Sequence, residues 1–312
     1  MNDEEYEFVL TDRIAKIKAI NEQYDLEHNA YLSFSGGKDS VILSHLIDIA
    51  LPNNHIPRVY ANTGIEYVDM VKFVKSKGLE DERFIILNQT RNIRKTLEKY
   101  GYPFKSKEHS VRVSDFNKGS DAYYIKKYIT GIDKNGNDTA FKCPKILLYQ
   151  FEKRGKYNFS RECCYKLKKD LLHKWQKENN KIIKITGMRN EEGGNRKKLT
   201  CLTEKGRKFH PLIVVSERWE NEFIERERVS LCKLYYPPFN FKRTGCKGCP
   251  YNKDIQTALN TLYKLLPNEY KQCLHLWKPV YDEYIRIGFR LKYYPHERGV
   301  QMTIEDYLGE EK

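Results

Sequence analysis

Features of membrane and secreted proteins are missing from these 312 residues. No apolar run approaches the roughly 20 residues that a membrane-spanning helix needs. The N-terminal stretch MNDEEYEFVLTDRIAKIKAI is acidic and amphipathic. It lacks the basic segment, the apolar segment and the small-residue cleavage site of a secretory signal. The sequence therefore predicts a cytoplasmic protein without a membrane partner.

Acidic residues are fewer than basic residues. The sequence has 42 Asp and Glu and 56 Lys and Arg, which gives a net charge of +14. Such an excess favours anionic partners, which include nucleotides, nucleic acids and anionic lipids. Eight cysteines are present. In a chain without a secretory signal, cysteines are more often metal ligands, catalytic groups or buried side chains than disulfide partners.

Strand and helix patterns alternate along most of the chain. Strands are indicated by AYLSF at 30–34, PRVYANTG at 57–64, RFIILNQ at 83–89 and KIIKITGMR at 181–189, and helices by the segments 4–28, 39–51, 66–78 and 167–180. A short strand and a helix are indicated again within 209–229. Alternation of this kind favours right-handed βαβ units. The pattern predicts an α/β fold with a parallel sheet flanked by helices.

Three parts are expected along the sequence. Residues 1–27 form an N-terminal helix, and residues 28–230 form the α/β domain, with an insertion at about 103–160 where the pattern weakens. The composition changes after about 235. Residues 231–312 are therefore expected to form a smaller, mainly helical subdomain that contains cysteines.

The stretch SFSGGKDS at 33–40 stands where the first strand pattern gives way to a helix pattern. Its two glycines let backbone N–H groups approach an anion closely and permit positive φ angles. The helix N-terminus adds a positive dipole end, and Lys38 adds a mobile cation. The spacings of the Walker A loop and of the dinucleotide fingerprint are both absent. The residues predict a pyrophosphate site of another kind, and a glycine turn with a solvated lysine is the alternative.

SFSGGKDS matches the SGGxDS signature of the PP-loop ATP pyrophosphatases, which cleave ATP between the α and β phosphates. Two further stretches resemble one branch, the phosphoadenosine-phosphosulfate (PAPS) reductase-like family. NTGIEYVDMVKFV at 62–74 is similar to its strand-end TG and second helix, and TGMRNEEGGNR at 186–196 is similar to its G-x-R-x-x-E-x-x-x-R-like loop. The resemblance implies an adenine nucleotide α-hydrolase-like fold that binds ATP or a related adenine nucleotide.

The resemblance also assigns site residues. It implies a nucleotide site formed by Ser33, Phe34, Ser35, Gly36, Gly37, Lys38, Asp39, Ser40, Asn62, Thr63, Gly64, Gly187, Arg189 and Arg196. In the reaction, Lys38, the loop amides and a Mg²⁺ ion would neutralise the leaving pyrophosphate. Asp39 would orient the metal or the loop. Ser40 would be the third catalytic residue. The alternative for Arg189 and Arg196 is that both are solvated loop charges.

Four cysteines occur in two pairs. RECCYK contains Cys163 and Cys164, and GCKGCP supplies Cys246 and Cys249 about eighty residues later. Four thiolates complete either a zinc site or an iron–sulfur cluster, and the ligand count does not choose between them. The arrangement resembles the CC…CxxC pattern of iron–sulfur adenylyl-sulfate reductases in the same family. That resemblance implies a [4Fe–4S] cluster, with zinc as the alternative.

The sulfonucleotide reductases of this family use a catalytic cysteine in a C-terminal ECGLH-like tail. Here YYPHERGVQMTIEDYLGEEK at 293–312 contains no cysteine. Cys273, in KQCLHLW, lies well inside a helical pattern, and a nucleophilic thiol needs access and a lowered pKa. Reduction of a sulfonucleotide with an unusual nucleophile is therefore kept as an alternative.

The leading hypothesis is an ATP pyrophosphatase that adenylylates a substrate and supports sulfur transfer. Iron–sulfur ATP pyrophosphatases of DNA phosphorothioation in this family lack the reductase tail. The net charge and the aromatic–basic stretch YYIKKYITG at 123–131 suit a nucleic-acid substrate, although a solvated amphipathic segment is the alternative. A sulfur-donor or redox protein is a further expected partner. The remaining alternative is a non-catalytic iron–sulfur module that binds nucleotide and nucleic acid.

Overall fold

The computed structural model describes residues 1–297. The helices are α1 (Asp3–Tyr24), α2 (Leu26–Asn29), α3 (Lys38–Ala50), α4 (Val68–Glu80), α5 (Ile93–Tyr100), α6 (Lys107–Asn117), α7 (Tyr123–Thr130), α8 (Glu162–Cys164), α9 (Asp170–Glu178), α10 (Glu217–Arg226), α11 (Ile255–Leu265) and α12 (Pro267–Arg286). The strands are β1 (Ala30–Phe34), β2 (Arg58–Asn62), β3 (Phe84–Asn88), β4 (Ile183–Ile185), β5 (Leu202–Thr203) and β6 (Lys208–Phe209). From position 298 the cysteine-free tail lies outside the described residues.

The six strands form one sheet in the order β3-β2-β1-β4-β6-β5. All neighbours pair in parallel except β5 and β6, which are antiparallel. The chain places β2 and then β3 on one side of β1. It then crosses over and places β4 on the other side of β1. Ligands of open α/β sheets bind where this direction reverses, outside the carboxyl ends of the strands. The expected α/β fold, an adenine nucleotide α-hydrolase-like parallel sheet flanked by helices, is confirmed.

The chain divides into two compact units. Unit 1 consists of residues 1–89 and 168–245, and unit 2 consists of residues 90–167 and 246–312. The sheet and the helices α1 to α4, α9 and α10 belong to unit 1. Each unit is assembled from two separate segments of the chain, whereas the three parts expected from the sequence are contiguous. Their boundaries stay a prediction.

Unit 1 has its core around the central strands. β1 is buried along most of its length, as a parallel strand covered on both faces must be. Trp219 and Phe223 of α10 are buried in this core, and their rings stack with centroids 5.0 Å apart. In unit 2, Phe104 packs on Phe159 and Tyr284, with ring centroids 4.3 and 4.7 Å apart. None of the helices in residues 1–297 has the length and apolarity needed to cross a bilayer.

Candidate functional site

The loop 35–37 joins β1 to α3 at the point where the sheet order reverses. Gly36 has a φ of +74°, a conformation that glycine adopts without a steric penalty. A Cβ on Gly36 would also lie 2.3 Å from Met70 Sδ of α4. Gly37 precedes α3 as its N-cap and supplies no side-chain cap. The positive end of the α3 dipole is therefore turned toward the loop, as an anion site requires.

Serine hydroxyls brace this loop. Ser40 Oγ lies 3.0 Å from Ser35 Oγ and donates to the Gly37 carbonyl at 2.9 Å. The Gly37 N–H donates to Ser35 Oγ at 3.3 Å, and the Ser35 N–H donates to Ser40 Oγ at 3.2 Å. Ser33 lies on β1, and the Phe34 side chain is buried against Phe84 at 5.0 Å. Phe34 can therefore contribute only its backbone to a ligand.

Lys38 is the first residue of α3, and its side chain reaches α10. Its Nζ lies 3.3 Å from Glu217 Oε1, 3.5 Å from Glu220 Oε2 and 3.4 Å from Asn221 Oδ1. The Lys38 ammonium group is thus held over the N-terminal end of α10, with Glu217 largely exposed and Glu220 fully buried.

The loop after β4 lies against the first turn of α3, directly after loop 35–37, which we call the phosphate-type loop. A Cβ on Gly187 would lie 2.9 Å from the Asp39 carbonyl oxygen. Arg189 is buried, and its Nε lies 3.2 Å from Glu220 Oε1 and 3.9 Å from Asp39 Oδ1. Its Nη1 donates to Glu191 Oε2 at 3.1 Å. Arg189 is thus a buried, paired residue and not the solvated loop charge of the alternative. Arg196 lies on the 3-10 turn Gly194–Lys198.

The third predicted stretch follows β2. Thr63 donates its N–H to Glu66 at 2.8 Å and its hydroxyl at 2.9 Å, so this turn is held by one buried carboxylate. Asn62 donates to Asn88 Oδ1 at 2.9 Å, and the Gly64 N–H donates to Asn62 Oδ1 at 3.2 Å. Because β1, β2 and β4 are parallel neighbours, all three predicted stretches meet at one edge of the sheet.

Sequence reasoning missed two residues of this region, Glu220 and Tyr235. Glu220 is completely buried in α10, and burial, with a smaller contribution from Asp39, raises its pKa to about 8 against the lowering effect of Arg189 and Lys38. Tyr235 Oη accepts the Lys38 N–H at 3.0 Å and lies 2.7 Å from Thr244 Oγ1. Glu220 directly follows the core residue Trp219, and this placement of an acid was the one signal that the sequence offered.

The four paired cysteines all belong to unit 2. Cys163 Sγ lies 4.0 Å from Cys164 Sγ. The hydrogen bond with Cys164, burial, and charge on Cys164, Cys249 and Cys246 all raise the pKa of Cys163. Burial and charge on Cys246 and Cys164 raise the pKa of Cys249. The two pairs are therefore close enough to interact, and thiols in such a group are the soft donors that iron–sulfur clusters and zinc prefer.

Among residues 1–297, no three His, Cys, Asp or Glu side chains are arranged to hold one metal ion. The donor set nevertheless fits a cluster in kind, because an iron–sulfur cluster is held by four cysteine thiolates distributed over several irons. The assignment of these cysteines to a metal centre stays a prediction.

Helix α12 fixes the loop between Cys246 and Cys249. Trp277 Nε1 donates to the Lys247 carbonyl at 3.0 Å, Tyr281 donates to the Gly248 carbonyl, and Tyr284 donates to the Pro250 carbonyl at 2.9 Å. Gly248 has a φ of +62°, and a Cβ there would lie 2.6 Å from Cys273 Sγ. The glycine of this CxxC is thus required by both its conformation and the approach of α12.

The other cysteines are core or half-buried positions. Cys143, Cys232 and Cys273 are buried, and Cys201 is half-buried. Burial raises the pKa of Cys273 to about 12. A buried thiol that stays protonated at neutral pH lacks the access and the acidity of a nucleophile.

The sheet and its loop define a PP-loop α/β protein of the adenine nucleotide α-hydrolase type. A family model of the phosphoadenosine phosphosulfate reductase domain matches residues 29–142 and 140–252. These segments span more than two thirds of the 312 residues, and the chain belongs to this family. No curated protein matches the sequence.

Solved structures of three other proteins are similar. Phosphoadenylyl-sulfate reductase from Candida auris, as its phosphate complex, is 11% identical over 79% of this chain and 96% of its own, with a TM-score of 0.42. NH3-dependent NAD synthetase from Campylobacter jejuni is 13% identical over 90% and 95%, with a TM-score of 0.40. The U34-tRNA thiolase of Methanococcus maripaludis with its [4Fe–4S] cluster is 14% identical over 88% and 80%, with a TM-score of 0.39.

Proposed function

We propose that this chain is an ATP pyrophosphatase that adenylylates an acceptor in a sulfur-transfer reaction, with a [4Fe–4S] cluster held by Cys163, Cys164, Cys246 and Cys249. The observation that supports this most directly is the loop 35–37, which leads into the N-terminal end of α3 and the adjoining Lys38 at the reversal point of a parallel sheet. A polyphosphate is the ligand that such a site accommodates best.

In the first step, an oxygen of the acceptor attacks the α phosphorus of ATP. An oxygen–phosphorus bond forms, the α–β bond breaks, and pyrophosphate leaves with the electron pair. Lys38 and the positive end of the α3 dipole stabilise the charge that develops on pyrophosphate. In the second step, a sulfur nucleophile attacks the activated carbon and AMP leaves. A nucleic acid is the proposed acceptor because of the net charge of +14.

The proposed reaction also includes a Mg²⁺ ion and an iron–sulfur cluster. Mg²⁺, when bound with the nucleotide, would supply further neutralisation of the phosphates, and Asp39 is the loop carboxylate that would face it. The cluster, when bound at the four cysteines, would supply redox and sulfur chemistry. The burial of Cys273 and its raised pKa count against the alternative of a sulfonucleotide reductase that uses this thiol.

The first test measures pyrophosphate and AMP release from Mg-ATP, with total tRNA and sheared DNA as trial acceptors and sulfide as the sulfur nucleophile. We expect equal amounts of the two products and a loss of roughly 100-fold or more in Lys38→Ala, because one preorganised charge is worth this much to a developing anion. Lys77→Ala is the matched control, since Lys77 lies in the last turn of α4 and its ammonium group pairs with the exposed Glu80 at 3.3 Å.

Either of two results would overturn the proposed reaction. Release of sulfite from a sulfonucleotide without pyrophosphate release would favour the reductase, and tight ATP binding without turnover would favour the non-catalytic module. The metal assignment is tested separately by anaerobic purification and iron, zinc and sulfide analysis. About four irons and four sulfides per chain are expected, with loss in Cys246→Ser and retention in Cys201→Ser. One zinc without sulfide would refute the cluster.

A further inference from the structure

Three buried polar atoms without a hydrogen-bond partner lie together in unit 1. They are Arg189 Nε and both carboxylate oxygens of Glu220. Buried polar atoms in folded proteins almost always have a partner, so a concentration of exceptions at one point calls for a physical reason. These atoms adjoin the side chain of Lys38, and the explanation therefore concerns the candidate phosphate site.

Charged groups of α3, of α10 and of the loop after β4 lie around Glu220. Lys38 Nζ of α3 lies 3.5 Å from Glu220 Oε2, and Arg189 Nε lies 3.2 Å from Oε1. These are ion-pair distances, but neither contact has the alignment of a hydrogen bond. Asp39 of α3 opposes ionisation of Glu220, and Glu217 on the same helix competes for Lys38. The carboxylate is thus held by two cations that it does not bind with good geometry.

The arrival of phosphates changes this balance. A polyphosphate at the loop attracts Lys38 and Arg189 more strongly than one carboxylate does, because it has several charges and many acceptor oxygens. Glu220 is fully buried, and an ionised carboxylate without a cation is costly in such a place. The Glu220 carboxylate avoids this cost by taking a proton from solvent and becoming neutral.

We propose that Glu220 is a positioning residue that pairs with Lys38 and Arg189 in the free protein and takes up a proton when the phosphates of a nucleotide engage these cations. Above about pH 8, where Glu220 is ionised in the free protein, nucleotide binding is therefore coupled to the uptake of up to one proton. The inference rests on the proposed function, since it requires polyphosphate to bind at the loop.

The direction of the linkage follows from the two protonation states. In the free protein, burial and Asp39 raise the pKa of Glu220 to about 8. Loss of its cations and the added negative charge raise this pKa further in the complex. The complex then binds more protons than the free protein at pH 8 and above. Affinity must fall as the pH rises through this range, by up to about tenfold between pH 7.5 and pH 9 for one proton.

The test is isothermal titration of the whole protein with Mg-ATP in two buffers of different ionisation enthalpy. Inorganic pyrophosphate serves as a second ligand for binding alone, because its own last proton titrates in this pH range. Wild-type protein should take up a substantial fraction of a proton at pH 8.5 and should bind about tenfold more weakly at pH 9 than at pH 7.5. Glu220→Gln should show no uptake and a flat affinity profile. Glu217→Gln is the matched control, because it removes the exposed partner of Lys38 and should keep the uptake.

The outcomes separate the two proposals. Binding of Mg-ATP that depends on Lys38 but is accompanied by no proton uptake in wild-type protein would overturn the role of Glu220 alone. Retention of the wild-type uptake in Glu220→Gln would overturn that role as well. If neither Mg-ATP nor pyrophosphate binds, the proposed function fails and this inference fails with it.

Discussion

At the scale of single residues, the phosphate-type loop depends on Gly36. Its positive φ and its contact with Met70 are independent constraints, and both exclude a side chain. The sequence SGGKDS indicates such a position by composition alone. Glu220 is different: its position next to the core residue Trp219 is the one signal in the sequence, and its partners Lys38 and Arg189 become known only from the fold.

We predict that Gly36→Ala lowers the free energy of unfolding of unit 1 by about 2 kcal/mol, from a strained φ and from overpacking against Met70. The control is Gly78→Ala near the end of α4, where a Cβ would lie 3.6 Å from its nearest neighbour and helix propensity is improved. Urea denaturation measures both. Equal stability of the two variants would contradict the constraint inferred at Gly36.

At the scale of elements, α12 determines the shape of the cysteine loop. Trp277, Tyr281 and Tyr284 are spaced by four and three residues and therefore share one helix face. Their donors meet three carbonyls of residues 247–250. The sequence indicated a helix around Cys273, and this is confirmed. The partners of its aromatic side chains could not be predicted, because they lie about thirty residues away in the chain.

We predict that Tyr284→Phe destabilises unit 2 by about 2 kcal/mol, since buried groups lose a hydrogen-bond partner. The Tyr284 hydroxyl donates to the Pro250 carbonyl and accepts the Lys105 N–H at 2.8 Å. Tyr263→Phe is the control, because its ring contact with Tyr270 survives removal of the hydroxyl. The free energy of unfolding of unit 2 is measured by urea denaturation that is monitored by hydrogen exchange. A change below about 0.5 kcal/mol in Tyr284→Phe would refute the role assigned to the hydroxyl.

At the scale of the whole molecule, the two candidate sites lie in different units. The phosphate-type loop belongs to unit 1, and all four paired cysteines belong to unit 2. A ligand stabilises the structure to which it binds, and bound metal does the same. Nucleotide should therefore stabilise mainly unit 1, and bound metal should stabilise mainly unit 2.

We predict that Mg-ATP slows amide hydrogen exchange in residues 30–45 and 186–190, whereas removal of metal by a chelator accelerates exchange in residues 160–167 and 246–290. Hydrogen exchange read by mass spectrometry on peptides from both units measures this directly. The untreated, ATP-free protein is the common reference. Protection by Mg-ATP confined to unit 2 would place the nucleotide elsewhere and contradict the assignment to loop 35–37.

The sequence by itself determined the α/β class, the strand–loop–helix around SGGKDS and the pairing of cysteines in CC and CxxC, because these depend on local periodicity and short spacings. Only the tertiary structure decided that the CC and CxxC pairs share one unit, that Tyr235 caps the Lys38 N–H and that Glu220 is buried between two cations. Burial and charge pairing here join residues from 31 to 197 positions apart in the chain, and no local pattern contains that information.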